Sequence, residues 1–203
     1  MAKKKSEAKK YELTSETIDH FGIVLHRIRA LRDFGDVEKG DLGGFVESEA
    51  NLSNEGNCCV YGNARVYGSA WVYGNAEVSG DARVSENAEI YENARVSGNA
   101  RVSENAYVSG NAEISGDAEI YENAWVSENA RVYGNAWVYG NAWVYGRAEI
   151  NGTQEINAGN HNTKAIPETP KNEGAIELEA LRKENESLKE ELARIKTTLR
   201  TLA

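Results

Sequence analysis

From residue 60 to residue 150, apolar and polar residues repeat with a period of six. Every sixth residue, starting at Val60, is Val or Ile, sixteen times in succession, and every sixth residue from Ala64 is Ala, fifteen times. With Val60 as position one of a hexad, positions three and four are Gly or Glu followed by Asn or Asp, with two exceptions. Apolar and polar residues alternate from position five to the next position two, which is typical of a short strand with one buried face. Since Gly, Asn and Asp accept left-handed backbone angles, each hexad is predicted to form one strand and one corner.

The hexad pattern, aliphatic-x-x-Asn-small-x, resembles the hexapeptide repeats of left-handed β-helix proteins, in which three hexads form one triangular coil. The resemblance implies an all-β solenoid, a left-handed parallel β-helix of about six triangular coils over residues 46–156. Cys58 and Cys59 are interpreted as two extra residues before the regular phase. At the spacing of parallel strands, about 4.8 Å, six coils would give a rod core about 29 Å long.

The segment before the coils has its own signature. The run ALRDFGDVEKGDLGGFVESEANLSNEGN at residues 30–57 resembles the N-terminal part of bacterial and prophage hexapeptide-repeat proteins, both YdcK-like proteins and those called polymer-forming cytoskeletal. This resemblance implies the fold and brings no settled activity. Residues 11–45 are predicted to form a small N-terminal β cap, in which GIVLHRIRAL supplies a hairpin strand, because a solenoid needs its first rung covered. Residues 1–10, with five Lys against one Glu, are interpreted as a disordered basic tail.

Residues eighteen apart should stack on one another, which gives the solenoid three faces. We name each face by its outward position-six side chains. The charge-alternating face carries Glu77, Arg95, Glu113, Arg131 and Glu149. The mixed face carries Arg65, Arg83, Arg101, Glu119 and Trp137. The aromatic face carries Trp71, Glu89, Tyr107, Trp125 and Trp143, together with the position-two residues Tyr73, Tyr91, Ser109, Ser127 and Tyr145.

The aromatic face is the candidate partner-binding site. Exposed aromatic patches often mark surfaces that bind other proteins. The alternative is a ladder of stacked rings that only stabilises a thin solenoid. The candidate binding residues are Trp71, Tyr73, Tyr91, Tyr107, Trp125, Trp143 and Tyr145.

The composition changes after residue 156. Residues 157–174 contain both prolines and are interpreted as a linker. Residues 175–203 place apolar side chains at alternating spacings of three and four, which predicts a coiled-coil oligomerisation helix. Asn185 at an a position and the paired charges at g and e positions favour a parallel dimer, with a trimer as the alternative. The seam consists of Leu178, Leu181, Asn185, Leu188, Leu192, Ile195, Leu199 and Leu202.

The residues that carry chemistry are sparse. Many left-handed β-helix proteins are acyltransferases or zinc carbonic anhydrases with functional histidines, but His20, His26 and His161 all lie outside the regular coils. The adjacent cysteines are poorly placed for a disulfide, and no metal-ligand spacing is present. We therefore expect no enzymatic activity, no catalytic residues, no cofactor and no metal. The net charge of −9 argues against nucleic-acid binding. With neither a signal peptide nor a membrane span expected, the chain is predicted to be cytoplasmic.

The function expected from the sequence is a non-enzymatic structural or binding protein, phage- or prophage-encoded. It would present its faces to an unidentified protein partner as a coiled-coil-linked homo-oligomer. Two alternatives remain. The stacked corner residues Glu86, Glu104 and Glu122 are compatible with a nucleic-acid-mimicking inhibitor of a host defence or DNA-handling protein. The fold also allows a degenerate hexapeptide acyltransferase.

Overall fold

The repeating hexads form stacked turns of parallel strands. In the computed structural model, which describes residues 9–162, each hexad places a strand at positions six and one. Strands eighteen residues apart pair in parallel, as Arg95 does with both Glu77 and Glu113. Three strands complete each turn, so the described residues form an all-β solenoid of about six turns.

The nineteen strands of residues 9–162 fall into two sheets. Strands β4, β7, β10, β13, β16 and β18 form the sheet beneath the charge-alternating face, and the other thirteen form a sheet that carries the mixed and aromatic faces. A single 3₁₀ turn, Glu49–Asn51, interrupts the strands of the described part. The strands are β1 (Tyr11–His20), β2 (Ile23–Ala30), β3 (Leu42–Val46), β4 (Cys59–Val60), β5 (Arg65–Val66), β6 (Trp71–Val72), β7 (Glu77–Val78), β8 (Arg83–Val84), β9 (Glu89–Ile90), β10 (Arg95–Val96), β11 (Arg101–Val102), β12 (Tyr107–Val108), β13 (Glu113–Ile114), β14 (Glu119–Ile120), β15 (Trp125–Val126), β16 (Arg131–Val132), β17 (Trp137–Val144), β18 (Glu149–Ile150) and β19 (Glu155–His161).

The interior consists of stacked Val, Ile and Ala side chains. Every position-one and position-five residue between 60 and 150 is buried, with at most 1% of its surface exposed. Backbone hydrogen bonds join successive turns at each strand, as from the Tyr67 amide to the Val84 carbonyl oxygen at 3.0 Å. Position one is always Val or Ile and position five is always Ala, so side-chain volume changes little from one turn to the next. Each turn can therefore pack on the next with the same geometry.

The left-handed backbone at the corners explains why position three is usually Gly. The Ala64 amide donates to the Tyr61 carbonyl oxygen at 3.1 Å and so closes a four-residue turn around Gly62, whose φ is +60°. Five glutamates adopt the same left-handed conformation at equivalent corners, at a cost of about 1–2 kcal/mol for a residue with a Cβ atom. Their φ angles lie between +57° and +61°, at Glu86, Glu92, Glu104, Glu122 and Glu128.

The first turn is longer than the others. Phe45 pairs with Arg65, twenty residues later, so two extra residues are present, as the sequence predicts. The assignment of these residues to Cys58 and Cys59 is wrong, however. The Cys58 side chain is buried in the core at an alanine position, and Cys59 pairs in register with Glu77. Because both cysteines occupy regular ladder positions, the additional length lies in the loop before them.

The last turn is shorter than the others. Trp137 pairs with Glu155, eighteen residues later, but Asn141 pairs with Ala158, seventeen residues later. The hexad pattern predicts a corner near Gly140, but strand β17 continues through it. The strand therefore joins the mixed face to the aromatic face in one sheet. The final strand ends at His161, so residues 157–161 extend the sheet in the segment that the sequence assigns to the linker.

A β-hairpin precedes the solenoid. Strands β1 and β2 pair antiparallel, β2 pairs antiparallel with β3, and β3 joins the parallel ladder. The Tyr11 hydroxyl donates to the Leu52 carbonyl oxygen at 2.6 Å, which attaches the hairpin to the first turn. Lys10 departs from the predicted basic tail, since it is fully buried and its Nζ donates to the Cys58 carbonyl oxygen at 2.8 Å. A buried ammonium needs such partners, because burial removes its hydrogen bonds to water.

Candidate protein-interaction face

The seven candidate binding residues form two groups of neighbouring rings. The first group lies in the early turns and contains Trp71, Tyr73 and Tyr91. The ring centroids of Trp71 and Tyr73 are 4.1 Å apart, and those of Tyr73 and Tyr91 are 5.0 Å apart with nearly parallel planes. The Tyr73–Tyr91 stack follows from the eighteen-residue repeat, because both tyrosines occupy position two on successive rungs.

The second group lies in the later turns. Trp125 is at the centre, with ring centroids 5.5 Å from both Tyr107 and Trp143. Tyr145 contacts Trp143 at the same 5.5 Å centroid distance. Trp125 and Trp143 remain 40% and 44% exposed, so stacking covers only part of each indole. The remaining indole surface is available to another molecule.

A carboxylate lies within the first group. The Tyr73 hydroxyl donates to Glu89 Oε2 at 3.1 Å. Partial burial, followed by this hydrogen bond, raises the pKa of Tyr73. Glu89 also occupies the rung between Trp71 and Tyr107, so it separates the tryptophan of the first group from the rings of the second.

The charge-alternating face contains ion pairs between rungs. Arg131 Nη2 lies 2.7 Å from Glu113 Oε2, and Arg95 Nε lies 3.8 Å from Glu77 Oε2. Opposite charges on successive rungs therefore form ion pairs at these positions. All four side chains are more than one-third exposed, so each pair contributes little to stability.

Asparagine side chains link successive corners. The Asn75 side-chain amide donates to Asn93 Oδ1 at 3.1 Å, and Asn93 donates to Asn111 at 3.2 Å. A second ladder runs from Asn87 to Asn105 at 3.1 Å and onward to Asn123. The sequence interpretation treats these residues only as turn formers. The recurrence of Asn at an interval of eighteen is the signal that would have predicted the ladders.

The comparison with known families agrees with this architecture. The model of the YdcK β-solenoid repeat family matches residues 60–74, 88–104, 94–110 and 130–148. These segments, which make up less than half of the chain, are similar to the YdcK β-solenoid repeat. No curated protein matches the chain.

The YdcK-type repeats at residues 130–148 carry aromatic side chains that the candidate set omits. Trp137 on the mixed face is 41% exposed, about as much as Trp125 and Trp143. On the same face, the rings of Tyr121 and Tyr139 stack with centroids 5.0 Å apart. Trp137 and Trp143 both belong to β17 but lie on different faces, since the strand continues through the corner between them. The signal for this exposed aromatic surface in the sequence is the run VYGNAWVYGNAWVYG. It places Trp137 and Trp143 six residues apart, on two different faces.

The reactive side chains outside the YdcK-type repeats are buried or engaged with backbone. Cys58 and Cys59 are both free and buried. Burial raises the pKa of both thiols and brings that of Cys59 to about 12. Such thiols are poor nucleophiles because little thiolate forms. His161 lies in β19, with Nε2 2.9 Å from the Ala158 carbonyl oxygen. Within residues 9–162, no group of three or more His, Cys, Asp or Glu side chains could hold a metal ion.

Across the described part of the chain, no helix has the length and apolar character needed to cross a membrane. The coiled-coil seam predicted for residues 175–203 lies outside the described residues.

Proposed function

We propose that the protein is a non-enzymatic rod that binds a protein partner through its aromatic face. The observation that carries this proposal is the pair Trp125 and Trp143, which stack 5.5 Å apart and remain 40% and 44% exposed. Tryptophan is among the residues most enriched at the energetically dominant positions of protein interfaces. An exposed indole pair on parallel strands supports a docking surface, although stacking also stabilises the rod.

The rigidity of this surface also supports binding. The residues beneath Trp125 and Trp143, including Val126 and Val144, are completely buried. The Ser127 amide donates to the Val144 carbonyl oxygen at 2.9 Å, which holds the two rungs together. A partner would therefore meet a preformed surface, and little conformational entropy would be lost when it binds.

The second part of the proposal is oligomerisation. The heptad seam of residues 175–203 supports a coiled coil that links copies of the chain, as a parallel dimer with a trimer as the alternative. Two linked rods would display two aromatic faces, and simultaneous binding at both would strengthen attachment to a multivalent partner.

The finer geometry and setting are proposals as well. Three strands in each eighteen-residue turn and the hexad resemblance support left-handed triangular coils, which a crystal structure would test directly. The resemblance of residues 30–57 to repeat proteins of bacteria and prophages supports a phage or prophage setting. We propose that the protein acts in the cytoplasm.

Affinity capture tests the binding face. The full chain, the double variant Trp125→Ala/Trp143→Ala and the matched control Trp137→Ala would each be immobilised and exposed to bacterial lysate. Trp137 is as exposed as the other two but lies on the mixed face. We expect a protein that the wild type and the control retain and the double variant loses, with all three folded by circular dichroism. Equal retention by all three variants would rule out the aromatic face.

Light scattering tests the oligomer. Deleting residues 175–203 should reduce the measured mass to about one half for a dimer, or one third for a trimer, after allowing for the deleted segment. The capture experiment repeated with the truncated chain separates the two proposals, since a monomer can still bind its partner. An unchanged number of chains per particle would show that the C-terminal segment does not hold the copies together.

Nucleic-acid mimicry is the second candidate, and a specific observation favours it. The same corner on successive turns holds Glu86, Glu104 and Glu122. The Asn87 amide donates to the Glu104 carbonyl oxygen, and the Asn105 amide donates to the Glu122 carbonyl oxygen, each at 2.9 Å. A row of carboxylates can compete with phosphates for basic surfaces. If mimicry is correct, the captured partner will release DNA when the rod is added, and Glu104→Gln will weaken this competition.

A further inference from the structure

The tip of the N-terminal hairpin lies against the mixed face of the solenoid. His20, the last residue of β1, is only 7% exposed. Its ring meets the ring of Tyr67 edge-on, with centroids 5.0 Å apart. The hairpin that covers the first turn therefore also reaches the side of the rod, where Arg65 and Arg83 lie.

The mixed face has an unbalanced row of positive charge at this point. Arg65 pairs in register with Arg83, and Arg83 with Arg101, so three guanidinium groups follow one another on successive rungs. Arg101 has a carboxylate partner, Glu119, at 2.9 Å. For Arg65 and Arg83, residues 9–162 supply no carboxylate at ion-pair distance. Like charges directly opposite each other on neighbouring strands are destabilising, so an anion at this position would relieve their repulsion.

Two buried nitrogen atoms in the same region lack hydrogen-bond partners. They are Nε2 of His20 and Nε of Arg65, and both are enclosed within the described part of the chain. Buried polar atoms are nearly always satisfied, and each exception calls for a physical explanation. Nε of Arg65 is a donor within the arginine row, and Nε2 of His20, beside the row, is a donor in the tautomer that carries its proton there. An oxygen-rich anion is the kind of ligand that would satisfy them.

We propose that His20, Arg65 and Arg83 form a binding site for a phosphate group. Two guanidinium groups can each donate several hydrogen bonds to the oxygens of one phosphate, and a dianion balances both positive charges, which a carboxylate cannot do. His20 would donate from Nε2 as a neutral ring. Its neutrality is consistent with its surroundings, since burial and then Arg65 and Arg83 lower its pKa, while Asp19 acts in the opposite direction. The site lies on the mixed face and does not depend on the proposed partner or on oligomerisation.

Phosphate titration of the full chain provides the test. Inorganic phosphate would be added at constant ionic strength, with affinity measured by calorimetry and the His20 ring signals followed by NMR. The variant is Arg83→Gln, and the matched control is Arg95→Gln, which removes the same charge from an exposed position on the charge-alternating face. We expect Arg83→Gln to weaken phosphate binding about ten-fold or more. Arg95→Gln should leave the affinity unchanged, and the His20 signals should shift in the wild type.

A parallel titration with a capped phosphoserine distinguishes the two sources of the phosphate group. If both probes bind, the site accepts a phosphate carried by a larger molecule; if only inorganic phosphate binds, the site encloses the free ion. Circular dichroism of each variant shows whether it has folded, and Arg83→Lys provides a second variant that retains the charge but loses the planar donor geometry. The proposal is overturned if the wild type does not bind phosphate, if Arg83→Gln binds as well as the wild type, or if both glutamine variants are weakened equally.

Discussion

The charge-alternating face and the aromatic face share one backbone but differ in what their outward side chains do. On the charge-alternating face, arginines turn toward glutamates on neighbouring rungs, as Arg131 does toward Glu113. On the aromatic face, Trp125 and Trp143 stack and still leave much of their surface open. One face therefore satisfies its own charges, whereas the other retains apolar surface in contact with water. This difference is why we propose that the aromatic face binds a partner.

The interior beneath the two faces shows no such difference. Ile90 lies beneath the aromatic face and Ile114 beneath the charge-alternating face, and both are completely buried. The inward positions are thus determined by packing in the same way on both faces. The outward positions are free to differ, and they are where binding properties can vary without a change of fold.

The largest expected effect tests the equivalence of the interior. Ile90→Ala and Ile114→Ala should each lower the free energy of unfolding by about 2–5 kcal/mol, because each leaves a cavity in a close-packed column. Chemical denaturation of both variants measures the loss. Ile90→Val and Ile114→Val serve as controls and should cost about 0.5–1.5 kcal/mol each. A large difference between the two losses would show that the interior contributes unequally to stability beneath the two faces.

A smaller effect is expected for the stacked tryptophans. A double-mutant cycle of Trp125→Ala and Trp143→Ala should give a coupling energy of about 0.5–1.5 kcal/mol, because the two indoles contact each other. Thermal or chemical denaturation of the four proteins supplies the cycle. The control cycle pairs Trp71→Ala with Trp143→Ala, which lie several turns apart and should show no coupling. Absence of coupling between Trp125 and Trp143 would argue against a stabilising ladder and leave binding as the main role of the pair.

The smallest effect is expected on the charge-alternating face. Arg131→Gln removes an exposed ion pair, so the loss of stability should be slight at low salt and should disappear at about 1 M salt, where charges are screened within about 3 Å. Denaturation at two salt concentrations measures this dependence. Trp125→Ala is the comparison, since its cost should persist at high salt. A loss in Arg131→Gln that did not change with salt would show that the guanidinium contributes through packing.

Much of the solenoid could be predicted because its determinants are local and repeated. The columns of Val and Ala predict burial at positions one and five without any knowledge of long-range contacts, and the structure confirms it. The hairpin strand predicted around residues 22–31 is likewise confirmed as β2, Ile23–Ala30. The stacking of residues eighteen apart is confirmed by the strand register, and this register identifies the neighbours of each outward side chain.

The remaining features depend on contacts between distant segments. Lys10 belongs to a lysine-rich run that resembles a solvated tail, and only the loop near Cys58 makes its burial favourable. The one-residue change in register between β17 and β19 follows from the end of the repeat, where no further hexad imposes the spacing. The contact of His20 with Tyr67 depends on how the hairpin bends, which the alternation of apolar residues in β1 and β2 does not specify. The sequence identified the rings of the candidate face but not the exposure of Trp137 on the neighbouring mixed face.

The uninterrupted eighteen-residue turn has a consequence for how such a chain can change over evolutionary time. Duplicating or deleting eighteen codons adds or removes one complete rung, and every remaining side chain keeps its column and its neighbours in register. The rod can therefore be lengthened or shortened in steps of about 4.8 Å without redesigning either end. Variants of different lengths can therefore arise by recombination alone, and their lengths differ by whole multiples of this step.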